Sequence, residues 1–155
     1  MRYRVCKSFE IESGHMLSKH PGRCQHPHGH SRRVDLVLSS GSLDPSDMVC
    51  DFKALKLAVA TYIDSYDHAL MVNEHDPILE SLTDEQRSRI IVCEGEDPTT
   101  EVMARRIYEH VSGILDKGGS YQDPEGSVFT LRPGLTLERV RVTETSSSWA
   151  EYGID

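Results

Sequence analysis

Apolar residues alternate with polar ones near both ends of the chain and recur at three- and four-residue steps through its middle. Tyr3, Val5, Phe9 and Ile11 hold odd positions through Arg2 to Glu12, which predicts a half-buried strand. Val34, Leu36 and Leu38 hold even positions through Ser31 to Ser39, a second strand, and Ser18 to Pro27 between them reads as a loop around Pro21-Gly22. Asp51 is a suitable N-cap for a helix to about Ser65, with Phe52, Leu55, Val59, Tyr62, Ile63 and Tyr66 on one buried stripe. Asp76-Pro77 opens a short helix, and Arg89 to Cys93 reads as a short strand. Asp97-Pro98 opens a second long helix, whose stripe is Met103, Ile107, Val111, Ile114 and Leu115 and whose stop is Gly118-Gly119. Ser120 to Gly126 is expected to be an exposed connection. Val128 to Leu131 and Leu135 to Thr145 then pair as a hairpin around Arg132-Pro133-Gly134. The order is two strands, two main helices, two strands, an α+β chain.

Composition narrows this picture. A length of 155 residues suits one domain spanning 1–155, and the apolar fraction of 37% with 6% aromatics implies a modest core that oligomerisation would extend. Seventeen basic against twenty-five acidic residues give −8, which argues against a general nucleic-acid or anionic-membrane binder. Lys19, Arg23, Arg32 and Arg33 nevertheless gather near one histidine-rich segment, leaving room for an anionic small substrate. Met1 to Val5 lacks the apolar stretch of a signal peptide, and no run approaches membrane-spanning length. Cys6, Cys24, Cys50 and Cys93 are widely spaced without a C-x-x-C pair, so a reduced, cytoplasmic protein is expected, with Cys6, Cys50 and Cys93 in the core.

The candidate chemistry starts with His28-Gly29-His30. Side chains two apart on a strand share a face, and both histidines have the parity of Val34, so they extend an inward face if the strand begins early enough. Imidazole is the commonest nitrogen ligand of zinc, and three protein ligands with one open position describe a catalytic site. Spacing leaves the third ligand open between His15 and His26. Cys24 follows Arg23 in the polar loop, where positive charge or a metal favours the thiolate. Asp67-His68 closes the first helix. Glu144 shares parity with Val140 and Val142, and an inward carboxylate requires donors.

With these residues in place, the sequence resembles the 6-pyruvoyltetrahydropterin synthase and 6-carboxytetrahydropterin synthase family along nearly its whole length. The resemblance rests on Phe9 to His15 (F-x-x-x-S-G-H), Cys24 to His30 (C-x-x-x-H-G-H), Met48 to Phe52, Asp67 to Leu70, Pro98 to Glu101 and Val142 to Thr145. It implies His15, His28 and His30 as zinc ligands, with His26 a bystander, and Cys24, Asp67 and His68 as catalytic residues. It also implies Glu144 as the pterin anchor, with Thr100 and Glu101 lining the pocket. The implied architecture is a tunnelling fold, a four-stranded antiparallel sheet with two main helices on one face. Subunits of this fold join their sheets, commonly into a hexamer of two stacked trimers with interfacial active sites. Ser31-Arg32-Arg33 departs from the Asn-Tyr that many members carry after H-G-H, and Tyr66 stands where Leu is usual.

The resemblance further implies 7,8-dihydroneopterin triphosphate as substrate. Of the family's two outcomes, carbon–carbon cleavage to 6-carboxytetrahydropterin with release of acetaldehyde and triphosphate, feeding queuosine and other 7-deazaguanine synthesis, is preferred. The pyruvoyl product is the alternative, and a zinc-containing pterin-binding homologue without turnover is the reading from another class. No G-x-G-x-x-G fingerprint calls for a nicotinamide or flavin.

Overall fold

A computed structural model describes the whole chain, residues 1–155. The first alternating segment forms β1 (Tyr3–His15) and the second β2 (His28–Ser40), longer than expected at their facing ends. They pair antiparallel from Tyr3↔Ser40 to His15↔His28. That register puts Ser13 and His15 on the same face as His28, His30, Arg32 and Val34, since facing residues of a ladder share a side.

Asp51 caps α1 (Phe52–Asp64), its Oδ1 accepting from the N–H groups of Lys53 and Ala54. Leu55, Val59, Ile63 and Tyr66 are buried as the stripe requires, but Phe52 on the first turn is exposed and Tyr62 lies on the flank, stacked on His110 at 3.6 Å. Then follow β3 (Leu70–Asn73), the single turns α2 (Ile78–Ser81) and α3 (Asp84–Arg87), and β4 (Ile90–Cys93). The second long helix, α4 (Thr100–Lys117), is capped by Thr99 rather than Asp97, with Thr99 Oγ1 accepting from Val102 N–H. It buries Met103, Ile107, Val111 and Leu115 against Val34, Leu36, Val140 and Val142 of the sheet. Each such fully buried aliphatic side chain contributes about 1.5–3 kcal/mol.

The sheet differs from the expectation in size and direction. It has six strands in the order β4-β3-β1-β2-β7-β8, and β3 runs parallel to both β1 and β4, so it is mixed rather than antiparallel. Parallel neighbours need a crossover, and α2 and α3 supply it between β3 and β4. The expected hairpin between Val128–Leu131 and Leu135–Thr145 is absent. Instead β6 (Val128–Leu131) pairs with β5 (Gly119–Gln122) in a separate two-stranded sheet, so part of the expected exposed connection is strand. β7 (Thr136–Thr145) pairs with β2 on one side and with β8 (Ser148–Gly153) on the other. The segment between β6 and β7 is drawn aside by Arg132, which donates to the carbonyls of Val49 (2.9 Å) and Ser42 (2.7 Å). Gly118 makes the α4–β5 junction at φ 61°, ψ −159°, a conformation open essentially only to glycine. Cys50 and Cys93 are buried as expected, but Cys6 is exposed, because its even position on β1 faces away from the helices.

Candidate active site and metal centre

The paired ends of β1 and β2 bring His15, His28 and His30 together. His28 lies directly across the ladder from His15, and His30 faces Ser13 one diagonal step away. The ring centroids are 4.4–5.2 Å apart, and one ring nitrogen from each lies within 4.8 Å of the others. His15 Nδ1 donates to the Pro98 carbonyl at 2.8 Å, and His28 Nδ1 to the His26 carbonyl at 2.8 Å. Those bonds fix the tautomer that leaves Nε2 with its lone pair free, the arrangement typical of metal-bound histidine. His15 Nε2 and His30 Nε2 stand 3.2 Å apart. At that distance the two rings can share one hydrogen or one cation, and a set of three imidazole nitrogens fits a divalent ion.

Burial favours neutral imidazole here. His15, almost fully buried, is pushed down to about 4, chiefly by desolvation and further by Arg32 and His28, against the opposing pull of its Pro98 bond and Glu144. His30 is lowered for the same first reason, reinforced by Arg32. Neutral rings are what a metal requires.

Glu144, near the end of β7, points to the same place. Its Oε1 lies 3.5 Å from His15 Nε2 and 3.4 Å from His30 Nε2, and the side chain is partly open to solvent. Cys24 sits half-buried on the single 3-10 turn Arg23–Gln25 of the loop joining β1 and β2. The Asp97 carboxylate holds that loop down, accepting from Ser18 Oγ (2.6 Å), the Lys19 N–H (2.7 Å) and Asn73 Nδ2 (3.0 Å). Burial works to raise the Asp97 pKa, but these bonds outweigh it and hold the carboxyl below the ordinary value.

Asp67 and His68 are not brought to the triad within one chain. They continue the β3 line beside β1: Asp67 Oδ1 accepts from Glu12 N–H at 2.7 Å, and His68 N–H donates to Glu12 O at 2.6 Å. His68 takes φ 55°, and its Nδ1 donates to Asp67 Oδ2 at 2.8 Å, while its ring stands largely in solvent. The Glu12 N–H, and then the His68 bond, keep Asp67 below the usual carboxylate range. Thr100 is buried, its hydroxyl accepting from Arg32 Nη1 at 2.9 Å, whereas Glu101 is exposed on the first turn of α4. His26 is exposed and contributes only its carbonyl.

Arg32 is a departure from the surface charge expected of it. It is 3% exposed, and its guanidinium donates to Ser13 Oγ (3.0 Å), Thr100 Oγ1 and, at 3.4 Å, the Thr143 carbonyl, so it is not open to a triphosphate. No carboxylate bonds to it. The same even parity that places Val34 and His30 inward could have flagged it.

The 6-pyruvoyl tetrahydropterin synthase family model matches residues 4–154. The chain belongs to this family. Proteins named 6-carboxy-5,6,7,8-tetrahydropterin synthase resemble it along their length. That of Aquifex aeolicus is 26% identical, covering 98% of each chain. That of Bacillus subtilis is 29% identical over 97% of this chain and 84% of its own, and that of Synechocystis is 34% identical over 96% and 91%. Among solved structures, an uncharacterised protein from Wolinella succinogenes superposes with a TM-score of 0.77 at 19% identity, covering 100% of this chain and 99% of its own. The 6-pyruvoyltetrahydropterin synthase of Plasmodium vivax gives 0.67 at 17% identity, covering 98% and 97%. These structures establish the tunnelling fold of the family; the three-histidine cluster is a feature of this chain itself.

Proposed function

We propose that this chain is a zinc-dependent 6-carboxytetrahydropterin synthase. It converts 7,8-dihydroneopterin triphosphate to 6-carboxy-5,6,7,8-tetrahydropterin with release of acetaldehyde and triphosphate. The reading is carried by the convergence of His15, His28, His30 and Glu144 on one point, in a chain whose full-length curated relatives bear that name. His15, His28 and His30 would hold the ion, which when bound supplies Lewis-acid polarisation of the substrate's side-chain oxygens.

The chain's own groups divide the remaining work. Glu144 offers a planar carboxylate to the amino and ring N–H groups of the pterin, a two-point contact that fixes the side chain over the triad. Thr100 and Glu101, at the start of α4, are assigned as further substrate-binding residues, Thr100 acting through its bond to Arg32. The Cys24 thiolate takes a side-chain proton. The Asp67–His68 pair carries protons at His68 Nε2, because Nδ1 is committed to Asp67. Since the pair stands in solvent away from the triad, a complete site takes the pair from a second copy of the chain, consistent with assembly as a hexamer of two trimers. The cytoplasm, where its reduced cysteines persist, is the compartment in which we expect it to act.

Incubating zinc-loaded protein with dihydroneopterin triphosphate and weighing the products tests the proposal. Acetaldehyde with 6-carboxytetrahydropterin is expected. Formation of 6-pyruvoyltetrahydropterin would assign the other family activity, and pterin binding with no product would leave only a binding protein.

A further inference from the structure

Arg32 places a positive charge behind a proposed metal ligand with nothing of opposite sign bonded to it. Its Nη2 lies 3.4 Å from His15 Nδ1. That nitrogen cannot accept from it while its hydrogen is donated to the Pro98 carbonyl at 2.8 Å. The guanidinium therefore keeps three bonded neighbours, Ser13, Thr100 and the Thr143 carbonyl, and its Nη2 stands beside an imidazole nitrogen that offers no acceptor. His15 has the carbonyl partner usual for a metal-binding histidine, that of Pro98, which raises the donor strength of the ring. A buried cation has the opposite effect. The one carboxylate near the cluster, Glu144, faces the Nε2 side of His15 rather than Arg32 itself. Three neutral imidazoles, one guanidinium and one carboxylate sum to zero before the metal arrives, so a divalent ion leaves the site strongly positive.

We propose that Arg32 is an electrostatic positioning residue that weakens metal binding at His15, His28 and His30 while strengthening the hold of that metal on an anionic oxygen ligand. Its charge repels the divalent cation and attracts whatever negative oxygen fills the open coordination position. The oxygen favoured at the open position is thus one that carries negative charge, such as a side-chain hydroxyl of the substrate that has given up its proton, over the same hydroxyl in its neutral form. This rests on the reading of the triad as a metal site.

The test uses full-length protein loaded with cobalt(II) as a coloured probe, and acetate as the anionic oxygen ligand. Three variants are compared with the native chain: Arg32→Gln, Arg32→Met and Arg32→Lys. Cobalt affinity is measured by chelator competition, and acetate affinity from the visible spectrum of the bound ion. Removing the charge should tighten cobalt by about tenfold or more and weaken acetate by a smaller factor, because the divalent ion carries twice the charge of acetate in a site of intermediate dielectric. Arg32→Lys, which keeps the charge but not the fork that bonds Ser13, Thr100 and Thr143, should lie nearer to native than Arg32→Gln and Arg32→Met on both measures.

The opposed signs are the signature, because a merely structural defect loosens both ligands together. The Gln and Met variants differ in shape but share the loss of charge, so either one that keeps the native circular dichroism suffices. Both affinities unchanged, or both weakened, would overturn the proposal. So would loss of the fold in both neutral variants beside a native Arg32→Lys, which would assign Arg32 to folding alone. If the native chain binds no cobalt, the metal reading itself fails first, and that outcome is distinguishable from the others.

Discussion

His15 shows how much one side chain can depend on its second nitrogen. Its Nδ1 bond to the Pro98 carbonyl decides which tautomer faces His28 and His30. Substituting His28 by Ala should abolish metal retention after dialysis, whereas Cys24→Ala should retain the metal and lose turnover; a fully active Cys24→Ala protein would sink the assigned role of the thiol. Asp97 carries a different burden, holding Ser18, Lys19 and Asn73 at once. Asp97→Ala strands three donors and should cost about 2–3 kcal/mol, read from the urea midpoint. The sign of its pH dependence follows from its lowered pKa. The unfolded carboxyl protonates first, so the contribution of Asp97 is complete above its ordinary value near 4 and is lost as the pH falls through the lower folded value. Native protein should therefore lose more stability on acidification below about pH 4 than Asp97→Asn does. Parity alone made His28, His30 and Glu144 legible in the sequence, but choosing His15 over His26 needed the family resemblance. Arg32 is expected at the surface with Lys19, Arg23 and Arg33 because it is charged, and strand register instead buries it beside the histidines.

Long elements were legible because they repeat their signal. β1, β2, α1 and α4 each carry three or more periods of apolar residues, and the structure moves their ends by only a few positions. Four-residue strands such as β3 and β5 offer no such repetition. β8, with exposed Trp149 and Tyr152, has no buried face to reveal it. The choice of partner was less accessible still, since β6 could satisfy its backbone against β7 or β5 and local sequence does not say which. Gly118 tips that choice by carrying the chain straight from α4 into β5. An added Cβ there would stand 2.7 Å from the Leu131 carbonyl and 2.8 Å from Pro133 N. Gly118→Ala should accordingly destabilise the protein by about 1–3 kcal/mol, measured by thermal or urea unfolding; an unchanged midpoint would show that the junction relaxes freely.

At the scale of the molecule, the six-stranded sheet ends in two open edges, β4 and β8, and the Asp67–His68 pair stands apart from the triad. A site shared between copies predicts complementation. Cys24→Ala and His68→Ala chains, each inactive alone, should regain measurable turnover when mixed under conditions of subunit exchange, and a mixture that stays inert would place both residues in the same copy's site. No helix is long and apolar enough to cross a membrane. Within one chain, the stretch Asp97 to Thr100 ties several parts of the site together. Its successive residues anchor the Cys24 loop, orient His15, cap α4 and hold Arg32. Such wiring makes ligation at the histidines and opening of the first turn of α4 linked equilibria. Metal binding that stabilises the Nδ1–H of His15 is therefore expected to slow hydrogen exchange at Val102 and Met103, whose amides bond to Thr99.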